Sequence, residues 1–131
     1  MPVLVLAIVG LIGIVAGIVS SRIAKKRRTE FPNGRFAKWF NVSMWLGLGL
    51  AVASWPLTGL MGYPYPDDLG RPGRVVGIPF IAAYFDHLAA DFVGPLTLPA
   101  ILANCLFWFH FPRVVVVAIS SACQRVRKLT L

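Results

Sequence analysis

The chain is poor in acidic residues, histidine and cysteine, with five Asp and Glu, two His and two Cys in 131 positions. Each shortage excludes something. So few carboxylates leave no paired acids inside an apolar stretch, the arrangement that recommends a coupled transporter. His87 and His110 stand 23 positions apart, which on one continuous helix is ~35 Å, too far to share one metal ion. Cys105 and Cys123 are 18 positions apart, in or beside the last apolar run. About 27 Å of helix would separate them, so they read as free thiols rather than a disulfide. The chain also lacks a phosphate-cradling glycine loop, a nucleophile with a positioned base, a metalloprotease helix and any internal repeat. The expectation is a protein without enzymatic activity and without a cofactor.

What is abundant is apolar surface. Hydrophobic residues make up 57% of the chain and charged residues 14%, with a mean hydropathy of +0.73. A water-soluble domain carries about a quarter charged residues. The pattern predicts an all-α membrane protein of one domain. Three transmembrane helices are expected at about residues 3–21, 39–61 and 94–117, with a long irregular outer loop over 62–91 and a basic tail over 118–131.

The first apolar stretch, residues 2–20, is uncharged and ~28 Å long as a helix, enough to cross the hydrocarbon core. It differs from a signal peptide at both flanks. No positive region precedes it, and a dense basic run, Arg22 to Arg28, follows it. A retained helix is therefore expected. The net charge of +8 is distributed unevenly. Arg22, Lys25, Lys26, Arg27, Arg28, Arg35, Lys38, Arg113, Arg125, Arg127 and Lys128 face only Glu30. The loop holds Asp67, Asp68, Asp86 and Asp91 against Arg71 and Arg74, which leaves a net +10 on one side and −2 on the other. Basic clusters that flank apolar spans set membrane orientation and touch anionic lipid, so membrane lipid is the expected partner rather than nucleic acid. The reading places the N-terminus outside and the C-terminus in the cytoplasm of a bacterial inner membrane.

Four local features call for an explanation. Gly10, Gly13 and Gly17 punctuate the first helix, and small residues four apart let another helix approach closely in lipid. Trp55-Pro56 stands in the outer third of the second span, where proline removes a backbone donor and a kink is expected, with Thr58 and Gly59 beside the freed carbonyl. Residues 62–73 of the loop are dense in turn formers and are expected to lack regular structure. Residues 74–87 are mostly apolar, with Val75, Val76, Ile78, Phe80, Ile81, Tyr84 and Phe85. This segment is too short and too interrupted to span, and it reads as short strands, an interfacial helix or a docking surface for another subunit.

Three polar features inside or beside the spans are candidates for function. His110 lies among Phe107, Trp108, Phe109 and Phe111, a setting that would suit ligation of haem or a pigment, or simple packing near the membrane boundary. Asp86, His87 and Asp91 are near one another in sequence, but adjacent Asp86 and His87 diverge in any regular structure. Asn104 is an uncharged polar group in the third span, expected to hydrogen-bond between helices. Arg113 must reach the surface or face protein. Together these point to a small accessory or assembly subunit of a membrane complex, with protein partners. The rival is a cofactor-binding or ion-handling component built on His110 or the outer loop.

Overall fold

The computed structural model describes residues 2–30, 34–58, 60–66, 69–86, 88, 91, 92 and 96–129. Three helices are long and apolar enough to cross a membrane. They are α1 (Pro2–Glu30), α2 (Arg35–Ala53) and α3 (Thr97–Leu129). At 1.5 Å per residue they extend ~43, ~28 and ~50 Å. Between α2 and α3 the chain forms a 3₁₀ turn, Pro56–Thr58, and four short strands: β1 (Gly62–Pro64), β2 (Arg74–Val76), β3 (Ala83–Phe85) and β4 (Asp91–Phe92). The strands make one antiparallel meander in the order β1-β2-β3-β4. Tyr63 pairs with Val75, Val75 with Tyr84, and Tyr84 with Phe92.

The second helix ends at Ala53, well before residue 61. The sequence pattern implied a kink at Trp55-Pro56, but proline also disfavours helical backbone at the residue before it, and here that restriction stops the helix. Ser54 N–H and Trp55 N–H still donate back to Leu50 and Val52. The Thr58 hydroxyl lies 2.8 Å from both the Ala53 and the Trp55 carbonyl oxygens, covering groups that the terminated helix exposes. The third helix differs in the opposite sense. It passes through Pro112 without a break and continues to Leu129, so the region from 118 onward is helix continuous with the span. The partner that sustains it is α1, which also runs on to Glu30. Ala24 is wholly buried and Val117 nearly so. The Arg27 guanidinium donates to Ser120 Oγ at 2.8 Å and to Ser121 Oγ at 3.3 Å.

α3 is the hub. It packs against α1 and against α2, while α1 and α2 touch each other little. The reason is visible in the residues that face it. On α1 small residues recur at Gly10, Gly13, Gly17, Ser20 and Ala24, spaced alternately three and four apart, the period of a coiled-coil seam, with Gly13 and Gly17 against α3 and Gly10 against Pro79 and Phe80. A methyl group added at Gly13 would strike the Phe107 ring, and one at Gly17 would strike the His110 side chain. On α2 the equivalent positions are Ser43, Gly47 and Ser54, all buried. A Cβ at Gly47 would strike the backbone of Phe109. The large side chains come from α3 and the small ones from its two neighbours. In contrast, Leu4, Ile8, Leu11, Ile12, Val15 and Val19 of α1 are exposed on the opposite face, which is the surface lipid would cover.

Gly13→Leu and Gly17→Leu should each lower the stability of the folded chain by about 1–3 kcal/mol, the usual cost of overpacking. Insertion should persist, because apolar character increases. Reversible unfolding in mixed detergent micelles measures this. Unchanged stability in both variants would show that α1 does not need so close an approach to α3.

Candidate functional site

The β2–β3 connection, residues 77–82, descends between α1 and α3. Gly77 has φ +109°, a left-handed conformation that side chains resist. A Cβ there would also meet Phe80 O and Ala82 N. The turn that follows sets Pro79 and Phe80 against Gly10, where an added Cβ would stand 2.6 Å from the Phe80 ring. Asn104, seven residues into α3, marks its depth at about 10 Å from the start of that helix.

Loop backbone at that depth has no water to bond and must find partners in the protein. Two α3 side chains, four apart and so on one face, supply them. The Phe80 N–H donates to Asn104 Oδ1 at 2.9 Å, and Asn104 Nδ2 donates to the Phe80 carbonyl at 2.7 Å. Trp108 Nε1 donates to the Ile78 carbonyl at 2.6 Å. Asn104 is wholly buried. Its amide thus pairs with loop backbone rather than with another helix, the relation its sequence position implied. The pairing also fixes the amide orientation, since only one assignment of oxygen and nitrogen satisfies both bonds.

The same arrangement accounts for the apolar half of the loop. Val75 and Val76 are buried at 5% and 2% exposure, and Ala82 and Ala83 with them. Ile78, Phe80, Tyr84 and Phe85 are partly buried, and Ile81 alone of the seven large residues is exposed. Six of the seven large side chains are thus at least partly buried within the chain itself, with Phe80 set against Gly10 of α1. No local pattern signals this burial, since the strand pairing joins residues that are separated along the chain. Strand structure was one of three readings for 74–87. Its extension to Gly62–Pro64 arises because turn-forming residues supply an edge strand that Tyr65 N–H continues by donating to Gly73 O at 2.9 Å.

At the other end lies a second polar cluster. Ser21 Oγ and His110 Nδ1 are 3.2 Å apart, and Arg113 NH1 is 3.4 Å from the same nitrogen. Both contacts engage Nδ1, so His110 serves as a link between α1 and α3. Arg113 is buried at 7% exposure. Its guanidinium stands 4.1 Å from the centroid of Phe109 and 5.7 Å from that of Phe40, and its Nε–H has no acceptor among the described residues. Aromatic faces take the place of a carboxylate counter-ion. Arg27 repeats the scheme one layer further out, 5.8 Å from the Phe36 centroid. Arg27 therefore ties α1, α2 and α3 together and Arg113 ties α3 to α2, and the Phe36 and Phe40 rings are themselves stacked at 6.3 Å.

The remaining candidates do not converge. His87 lies outside the described residues. Asp86 Oδ1 accepts the Leu88 N–H at 2.8 Å, a local turn. Among the described residues no three metal-ligating side chains come together. Cys105 approaches Ser54 Oγ at 3.8 Å and the Ala51 carbonyl at 3.7 Å, an α2–α3 contact. The outward face of α2 carries three residues that sequence reasoning passed over. Asn41, Trp45 and Gly49 are exposed at four-residue spacing, and Trp45 is 68% exposed near the middle of the helix. No acceptor for its indole N–H exists among the described residues.

The fold and its interior define a three-helix membrane protein with a small antiparallel sheet at one end, cross-linked internally by polar and aromatic contacts. No protein-family model, curated protein or solved structure matches the chain.

Asn104→Leu removes both bonds to Phe80. A loss of about 1–3 kcal/mol is expected, between the small average value of a membrane hydrogen bond and the penalty for unmatched buried groups. Hydrogen exchange at the Phe80 amide should accelerate markedly while exchange within α2 stays unchanged. An unaltered Phe80 rate would mean that the sheet alone holds the loop in place.

Proposed function

We propose that this protein acts by association rather than by chemistry, as a small accessory or assembly subunit of a larger bacterial inner-membrane complex. The observation that carries the reading is the outward face of α2. Trp45 is ten residues from Arg35, ~15 Å along the helix and so near mid-membrane. Tryptophan ordinarily sits at the membrane surface, where its ring is apolar on one side and its N–H is wet. At mid-depth in lipid the N–H goes unmatched. A neighbouring transmembrane helix with a polar acceptor relieves that, and Gly49, with open space around it, lets such a helix approach. Asn41 adds a second polar group on the same stripe. By the bias of positive charge, the end bearing Arg22 to Lys38 lies in the cytoplasm together with the C-terminus, and the sheet lies outside.

Two measurements test the proposal. Purification in mild detergent should recover the protein with at least one other membrane protein, and Trp45→Leu should reduce that recovery about tenfold, as loss of a central aromatic contact does. Val15→Leu, on the exposed face of α1, should leave it unchanged. Equal recovery with Trp45→Leu would reduce the α2 face to ordinary lipid-facing surface. Reporter fusions at residue 68 should be active only outside the cytoplasm, and cytoplasmic activity there would overturn the orientation.

A further inference from the structure

Three adjoining hollows line the α2–α3 junction at the basic end. The first, of about 430 Å³, is bordered by the charged and polar side chains of Arg27, Glu30, Arg35 and Gln124. The second, of about 580 Å³, shares Arg35, Phe36 and Ser120 with it but is otherwise lined by Trp39, Val116, Ile119 and Cys123. The third, of about 340 Å³, shares Trp39, Val116 and Ile119 with the second and continues to Leu46 and Leu50. A cationic mouth thus opens into an apolar furrow. From Phe36 to Leu50 the furrow follows α2 for ~21 Å.

We propose that this groove binds one anionic phospholipid, with its phosphate at Arg27 and Arg35 and an acyl chain along Phe36, Trp39, Val116 and Ile119. The order of the lining, charge first and then continuous hydrocarbon, matches the order of an amphiphile entering from the bilayer. Arg27 is prepared for the phosphate. Its bonds to Ser120 and Ser121 and its position over Phe36 fix the guanidinium, so little side-chain freedom is lost when a phosphate binds, and its remaining N–H groups suit phosphate geometry. Glu30 is the one carboxylate lining the mouth, opposed by Arg27 and Arg35. That balance selects an anionic headgroup over a zwitterionic one. Basic pockets between transmembrane helices recognise acidic lipid headgroups on this physical basis. A free phosphate would use the mouth but gain nothing from the furrow.

The test uses the full-length protein in detergent, equilibrated with phosphatidylglycerol or with phosphatidylcholine of identical acyl chains, and counts retained lipid by native mass spectrometry. Phosphatidylglycerol should be retained preferentially. Arg35→Gln, at an exposed position that carries no packing, should reduce its retention about fivefold, the factor one basic side chain contributes beside an anionic surface. Lys25→Gln removes the same charge outside the groove and should leave retention unchanged. Ile119→Trp should fill the furrow and lower retention with both arginines present. Millimolar inorganic phosphate should not displace the lipid. Equal retention of the two lipids, equal losses in the Arg35 and Lys25 variants, or displacement by phosphate would each overturn the proposal.

Discussion

The contact on which the rest of the molecule depends is the approach of α3 to two helices that present almost no side chains to it. In lipid the hydrophobic effect does not press helices together, because hydrocarbon surrounds them whether they associate or not. Attraction must come from dispersion over many atoms, and it fades within an ångström of added separation. Gly10, Gly13 and Gly17 on α1 and Ser43 and Gly47 on α2 remove that separation. Phe107, Phe109 and His110 of α3 then rest against bare backbone. The same absence of bulk at Gly10 makes room for Phe80, so the position of the loop between β2 and β3 follows from the helix seam.

A second constraint acts on every polar group drawn inside. The loop apex between β2 and β3 exposes carbonyl and amide groups that neither strand can bond, and α3 answers with Asn104 and Trp108. At the basic end the problem is a charge rather than a dipole. Arg113 is buried beside His110 and two phenylalanines, without a carboxylate among its neighbours. A buried ion pair would have to overcome two desolvation penalties, whereas rings already in place stabilise the cation without adding a second charge to desolvate. The sheet end is therefore held by directional bonds to backbone, and the basic end by cations lying over rings.

The spans were legible because length and hydropathy are properties of contiguous residues, and the glycine spacing on α1 was legible because a helix converts spacing into a face. The small residues Ser43 and Gly47 of α2 and Ser54 just beyond it lie on the same three-and-four rhythm, and sequence reading passed over them because two of them are serines rather than glycines. Trp55-Pro56 was legible as a disturbance, but its outcome was not, since kink and termination differ only in what the chain does next. The cover over Val75 and Val76 could not be read at all. It depends on a sheet built from four short strands separated along the chain, and no local pattern encodes that pairing. The role of Asn104 was half legible, since a polar group in a span must find a partner, but only the fold specifies which partner.

Exposed apolar side chains on α1 and α2 do not by themselves argue for another subunit. Lipid covers leucine and valine as well as protein does, so such a face is neutral between a solitary chain and a complex. An unmatched polar group breaks that neutrality, because hydrocarbon cannot accept a hydrogen bond and a protein can. Within the chain, Asn104, Trp108, His110, Ser21 and Ser54 have all found partners, and among the described residues the buried Arg113 Nε–H is the exception, lying over rings instead. Trp45 departs from this pattern on the outside, near the centre of a membrane-crossing helix. A single indole N–H is a small energetic imbalance, yet it is the kind that a neighbouring helix corrects and lipid does not, and it directs attention to α2 rather than to the sheet.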